Sequence, residues 1–340
     1  MKSRFVWMSL VIPFLIATLP ATAWAETVVL AVPGPGTLSY LPVYLAKAIA
    51  ADQAEGLELK LRYVPGGPVA LRDLQDRNSD FVAVGLAALA SARADGMPVI
   101  AIGQLSQSAM YVFMLRSDLK KQVRSIAQLK GRRIGVASST VTTRSMGHMM
   151  TEYLIHRAGL ANSDVQFISV GQNRDTQRAA LSSGTADAVM GDEPFASELV
   201  AQGIAVKLAD LYQPKQSAEL LGDAIVHAAL ATREDVLAQH PDTVKKVLRM
   251  YDRTLQWMAQ HTAQETIDKL ADQPGFNPGQ GKLLVQILQR NHGMYPSRIA
   301  WDNRAVATTE RFFHDTAINP HEISLSFADF VHNSSDQNTR

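Results

Sequence analysis

Arg133-Ile134-Gly135-Val136-Ala137-Ser138-Ser139-Thr140-Val141-Thr142-Thr143-Arg144 is the stretch around which the 340-residue chain is organised. A short apolar run, Ile134 to Ala137, predicts a strand. Five hydroxyl residues follow within six positions, and a long helical pattern comes next. Such a turn at a helix start offers unpaired backbone N–H groups, side-chain donors and the positive end of the helix dipole. That suits a small anion or a polar ligand oxygen. The same residues also make an ordinary helix cap, so the reading depends on where the turn sits in the fold.

Upstream, the same rhythm precedes it. Residues 27–32 form a strand ending in Pro33-Gly34-Pro35-Gly36, and Pro42 opens a helix predicted over 42–54. A strand over 57–64 closes at Pro65-Gly66-Gly67-Pro68 and leads to a helix over about 69–77. A strand over 81–85 runs directly into a helix ending at Ala94, and 98–105 is a fourth strand. Strands alternating with helices at this spacing imply parallel βαβ units. Residues 109–115 form a strand with no helix before it, so the rhythm breaks near Ser106–Ala109.

Downstream, after a short helix at 125–129, the rhythm restarts with the strand of the opening stretch and a helix over 142–158. Strands at 165–170, 186–190 and 205–208 alternate with helices at 174–183 and 193–201. Residues 209–223 read as a polar loop and 224–231 as a strand. Beyond Arg233 the patterns are helical only, at about 240–261, 262–271, 279–290 and 302–316. The expectation is an α/β protein of two lobes joined by two crossings, with a helical C-terminal segment. Lobe 1 is 26–108 with 227–332, lobe 2 is 109–226, and 333–340 is a polar tail.

Hydrophobic content of 46% and charged content of 19% are ordinary for a globular protein, and no charge block marks a nucleic-acid surface. Lys2 and Arg4, an apolar run from Leu10 to Leu19 and Ala23-Trp24-Ala25 read as a secretory signal peptide over residues 1–25. Its removal takes Lys2 and Arg4 away and leaves 31 basic side chains against 32 acidic ones, a net charge of −1. The chain has no cysteine. Disulfides, thiolate metal sites, cysteine nucleophiles and a lipidated N-terminal cysteine are excluded. The expected location is a bacterial periplasm.

Ligands of open α/β sheets bind outside the carboxyl ends of the strands. The turns placed there are Gly34–Tyr40 (with Gly36), Gly66–Pro68, Gly85–Leu86, Ser138–Thr143 and the turn from Gly191 to Phe195. Asp192 and Glu193 each either cap a helix or accept hydrogen bonds from a ligand. Arg144 is a further candidate for a ligand anion. His148, Glu152 and His156 share a helix face at metal-ligand spacing, opposite the apolar stripe of Met146, Met149, Met150, Tyr153 and Leu154, and read as a solvated surface. Gly34-Pro35-Gly36-Thr37-Leu38-Ser39 approximates a dinucleotide fingerprint, but Ser39 replaces the third glycine and no acidic residue ends the second strand. The stretch from Gly275 to Lys282 fails as a phosphate loop on its glycine spacing and the lack of a preceding strand. There is no Gly-x-Ser-x-Gly elbow and no His-Glu-x-x-His pair. Tyr40, Tyr111 and Phe195 are candidates for stacking on a ring or for core positions. No cofactor is expected, no catalysis has positive support, and a monomer is the default.

The chain resembles the type II periplasmic solute-binding proteins of ABC importers, in the branch for nitrate, sulfonate, taurine and pyrimidine precursors. The segments carrying the resemblance are Leu41-Pro42-Val43-Tyr44-Leu45-Ala46, the run from Ile126 to Val136, Arg157-Ala158-Gly159-Leu160, the run from Ala179 to Asp187, Glu193-Pro194, and the run from His240-Pro241-Asp242 to Trp257. The resemblance covers about residues 26–316. It implies a periplasmic-binding-protein type II fold that closes on a small polar or anionic organic solute and docks on an inner-membrane permease. By position, it implies pocket residues near Tyr40, Gly67, Gly85, Ser106, Ser138, Ser139, Thr140 and Glu193. In the family the hydroxyl turn often holds an anionic group. The Gly34-Pro35-Gly36 loop departs from the family pattern. Alternatives are a ligand-sensing protein acting on a membrane signalling partner and an enzyme on the same fold. A pyrimidine-forming branch that uses a cysteine cluster is closed to this chain.

Overall fold

The computed structural model describes residues 25–137, 144–171, 173–291 and 293–332. The leader, the hydroxyl turn with Ser138, Ser139 and Thr140, and the polar tail lie outside the described residues, apart from Ala25.

The first five-stranded sheet begins with β1 (Glu26–Pro33), α1 (Leu41–Ala48), β2 (Leu57–Val64), α2 (Gly67–Gln75), β3 (Phe81–Gly85), α3 (Leu86–Ala94) and β4 (Val99–Ser106). The chain then crosses to a second sheet through β5 (Tyr111–Arg116), β6 (Arg133–Val136), α4 (Met146–Arg157), β7 (Gln166–Ser169), α5 (Arg174–Ser182), β8 (Ala188–Asp192), α6 (Phe195–Ala201) and β9 (Ala205–Asp210). It returns through α7 (Pro214–Leu221) to β10 (Ala228–Arg233). The rest is helical: α8 (Glu234–Gln239), α9 (Pro241–Gln260), α10 (Ala263–Leu270), α11 (Gly281–Arg290), α12 (Asn303–Asp315) and α13 (Pro320–Ser324).

The strand orders are β2-β1-β3-β10-β4 and β7-β6-β8-β5-β9. β1 is parallel to β2 and β3, while β10 runs antiparallel between β3 and β4. Likewise β6 is parallel to β7 and β8, and β5 runs antiparallel between β8 and β9. The expected parallel units therefore form, but each sheet also takes in one reversed strand. These two strands are the ones that follow the crossings: β5 comes straight from β4 with no helix between them, and β10 enters the first sheet from the second through α7, so neither continues a βαβ unit of the sheet it joins. Among the described residues, no helix is long and apolar enough to cross a membrane.

The apolar run of β1 buries Leu30, Ala31 and Val32 completely, because helices cover both faces of a mostly parallel sheet. α9 is amphipathic and lays Val244, Val247, Met250, Tyr251 and Leu255 onto the cluster formed by β1, α1 and α11. Each such side chain contributes about 1.5–3 kcal/mol by leaving water. A second cluster passes from Leu86 and Leu89 of α3 through Met146, Met149 and Met150 of α4 to Phe312 and Phe313 of α12, and so includes residues from around both sheets.

Local chemistry moved several boundaries. α1 stops at Ala48 rather than 54, because Ala50 adopts a left-handed φ of 55°. Ala51 N–H then reaches the Ala46 carbonyl and Ala50 N–H the Lys47 carbonyl, a Schellman stop. The polar stretch read as a loop holds α7, opened by Pro214 at its first turn. The expected solvated face of α4 is also corrected. Residues from Met146 through Ile155 are all buried, His148 and Glu152 included, and only His156 of that trio is exposed. α4 is packed on several sides, so its polar face is inside as well. No group of residues fit to hold a metal is found among the described residues.

Candidate functional site

The carboxyl ends of both sheets border one cavity of about 580 Å³. β1 supplies Pro33 and the following Gly34, β2 supplies Tyr63 and Val64, and β3 supplies Gly85. From the second sheet come Ala137 after β6, Tyr111 at the start of β5, and Met190 and Asp192 of β8. Helix N-termini complete the wall: Gly67 of α2, Met146 and Gly147 of α4, and Asn173 and Arg174 of α5. Thr37, Ser39 and Tyr40 arrive on the loop after β1.

The two sheets approach closely here. A Cβ on Gly85 would lie 2.7 Å from the Cβ of Met146, closer than carbon atoms pack, so glycine is what lets β3 meet α4. The loop after β1 is also tied across. Thr37 Oγ donates to the Asp192 carboxylate. Leu38 N–H donates to the Glu193 carbonyl over 3.3 Å, and the Arg174 guanidinium donates to the Gly36 carbonyl over 3.0 Å. Gly36 keeps a left-handed φ of 77° and packs on the backbone of Gly275, where any side chain would collide.

The sequence candidates separate into two groups. Tyr40, Gly67, Gly85 and Asp192 border the cavity. Gly36, Ser106 and Glu193 lie beside it without lining it. Ser106 is fully buried at the first crossing, where its hydroxyl accepts from Ala228 N–H over 3.1 Å and its carbonyl from His227 N–H over 3.1 Å. Glu193 turns inward, and its carboxylate accepts from the Ser197 N–H at 3.0 Å and hydroxyl at 2.8 Å. Burial pushes that carboxyl up, opposed by Ser197 and by Lys207 at 3.9 Å. Of the adjacent pair, Glu193 is therefore the inward cap and Asp192 the cavity carboxylate. Arg144, a candidate for a ligand anion, points into a buried ion cluster with Glu152 and Glu322 instead. Phe195 is core. Ser138, Ser139 and Thr140 lie outside the described residues.

Sequence reasoning missed Tyr63, Asn173 and Arg174. A strand ending before Gly171 and a helix opening at Arg174 carry the same strand-to-helix signal as the other turns, so that position was recoverable. Tyr63 gave no signal, because its place beside the cavity depends on strand register.

Two electrostatic features stand out. Burial, and next the Asp192 carboxylate, push the Tyr40 phenol up; burial, Tyr40 and Asp192 do the same to Tyr111. Ser39 Oγ and His227 Nε2 are 2.9 Å apart, the contact of a nucleophile with a base. The Nδ1 of His227 has no hydrogen-bond partner among the described residues, so no carboxylate orients the ring. Burial pushes that imidazole down to about 3, leaving it a weak base at neutral pH.

A two-sheet α/β chain with its cavity at the strand carboxyl ends has the build of a periplasmic-binding-protein fold. The family model described as NMT1/THI5 like matches residues 39–265, and the chain belongs to that family. Among curated relatives, the putative binding protein YtlA of Bacillus subtilis (strain 168) is 26% identical over 267 residues, covering 76% of this chain and 75% of YtlA. Among solved structures, the alkanesulfonate-binding protein SsuA from Xanthomonas axonopodis pv. citri, bound to MOPS, is similar with a TM-score of 0.71 and 17% identity, over 90% of this chain and 98% of that one. The periplasmic nitrate-binding protein NrtA from Synechocystis PCC 6803 is similar with a TM-score of 0.68 and 15% identity, over 92% and 87%. A desulfurization enzyme, DSZB, shares the fold with a TM-score of 0.61 and 17% identity, over 92% and 98%. Three of these four proteins, YtlA, SsuA and NrtA, are named as binding proteins, in agreement with the non-enzymatic expectation.

Proposed function

We propose that this chain is the substrate-binding component of an ABC import system, exported to the periplasm by removal of residues 1–25. It captures a small polar or anionic organic solute and delivers it to an inner-membrane permease. One lobe is 26–108 with 227–332, the other 109–226. The observation that carries the reading is the cavity of about 580 Å³ bordered by the strand ends of both sheets. That volume is within the range of small-molecule sites. Tyr40, Gly67, Gly85 and Asp192 contribute to the solute site, and the turn of Ser138, Ser139 and Thr140 adds hydroxyl donors. Solute contacts made only when the lobes are closed shift the population towards closure.

Thermal melting against sulfonates, nitrate, carboxylates, amines and pyrimidines tests the reading. A solute at a hundredfold excess over its Kd stabilises the native state by about 2.7 kcal/mol, a readily measured rise in Tm. The expected result is a rise with one chemical class, accompanied by a smaller radius of gyration in solution scattering. A flat response to the whole panel overturns it.

A further inference from the structure

We propose that the solute carries a protonated or N–H-donating nitrogen, an amine or amidine-type group, and that Asp192 is the residue that selects it. The inference rests on the solute-binding reading and narrows it. The Asp192 carboxylate borders the cavity and, among the described residues, accepts one hydrogen bond, from Thr37. No Lys, Arg or His among the described residues forms an ion pair with it, although ion pairs satisfy carboxylates elsewhere in the chain. The guanidinium on the cavity wall, Arg174, is engaged elsewhere: it donates to the Gly36 carbonyl and faces the charge of Glu198.

The surroundings of Asp192 favour a cation. The phenols of Tyr40 and Tyr111 lie near enough to respond to its charge, and both border the cavity. Neither hydroxyl has a hydrogen-bond partner among the described residues. Two aromatic rings beside a carboxylate present π faces, lone pairs and a negative charge together, the combination that attracts an organic ammonium. A bare anion such as nitrate, placed against the same carboxylate, would meet like-charge repulsion in a partly desolvated site. Asp192 pairs with Tyr111 on the neighbouring strand, so the carboxylate and one ring are fixed by sheet register.

The test uses the full mature chain and solutes matched except for the nitrogen: taurine against ethanesulfonate, β-alanine against propionate, benzylamine against benzyl alcohol, and 4-aminopyrimidine against pyrimidine, with nitrate as the bare anion. Melting identifies binders and calorimetry gives Kd. In at least one pair the nitrogen-bearing member is expected to bind tenfold or more tightly. Asp192→Asn is expected to abolish that preference with an unchanged circular dichroism spectrum. If amine-free members or nitrate bind the wild-type chain as tightly as their partners, or if Asp192→Asn keeps the preference, the inference is overturned while solute binding stands. If no compound of either kind binds, the solute-binding reading fails and takes the inference with it. The wild-type comparison is decisive even where the variant does not fold.

Discussion

His227 shows how one residue can link the cavity to stability. It is 2% exposed, its Nε2 contacts Ser39, and its ring meets Tyr111 edge-on at 4.8 Å between centroids. Burial lowers its folded value from 6.5 to about 3. Between those values the unfolded chain binds a proton that the folded chain does not. Stability is therefore full above about pH 6.5 and declines as pH falls, by about 1.4 kcal/mol per pH unit from this group. Denaturant midpoints followed from pH 7 to pH 4 are expected to fall less steeply for His227→Gln than for wild type. Parallel slopes would assign the acid sensitivity to other groups. At this scale the sequence located Asp192 and Glu193 together but left their roles open, since adjacent strand-end residues point in different directions and only the fold says which direction is solvent.

Among the elements, α4 departs furthest from its sequence reading. Arg144, just before its N-cap Ser145, is tied to Glu152 at 2.7 Å, to Glu322 of α13 at 3.3 Å, and to the Thr316 carbonyl after α12. Ser91 of α3 donates to the same Glu322 over 2.7 Å. The C-terminal segment thus holds the start of the helix whose first residues border the cavity. Arg144→Ala would leave two carboxylates buried without their cation, and the expected loss is about 3–5 kcal/mol in urea unfolding. A loss below 1 kcal/mol would mean that water or local rearrangement replaces the guanidinium. Sequence spacing had put Glu152 and His148 on a polar face and assigned that face to solvent. Periodicity reports which residues share a face, but not whether a distant segment such as α13 covers it.

For the whole molecule, the contacts between the loop after β1 and the second sheet matter most. Arg174 to the Gly36 carbonyl is the one of these that a side-chain truncation can remove while leaving both Asp192 and its partner Thr37 in place. The cysteine-free chain accepts spin labels at Lys60→Cys and Gln166→Cys, exposed positions on β2 and β7. With the stabilising solute bound, one narrow distance distribution is expected in wild type, and a broader and longer one after Arg174→Ala. An unchanged distribution would show that this hydrogen bond does not hold the sheets together. Most of the fold at this scale was legible in advance, because the βα rhythm, its break near Ser106 and the final helices are local patterns. The reversal of β5 and β10 was not, because strand direction is set by which neighbours a strand meets.

The sequence alone determined the α/β class, nearly every strand, and the candidate turns at strand ends. These depend on apolar period, on proline and glycine, and on capping residues, all of which act over a few positions. Only the tertiary structure decided which turns share a cavity. It placed Tyr40, Gly67, Gly85 and Asp192 at its edge, and withdrew Ser106, Glu193 and Arg144 into buried hydrogen bonds and ion pairs. That division follows from desolvation: a polar residue beside a cavity and one buried under a distant helix have the same local sequence signature. They differ in the free energy of the partners that folding brings to them.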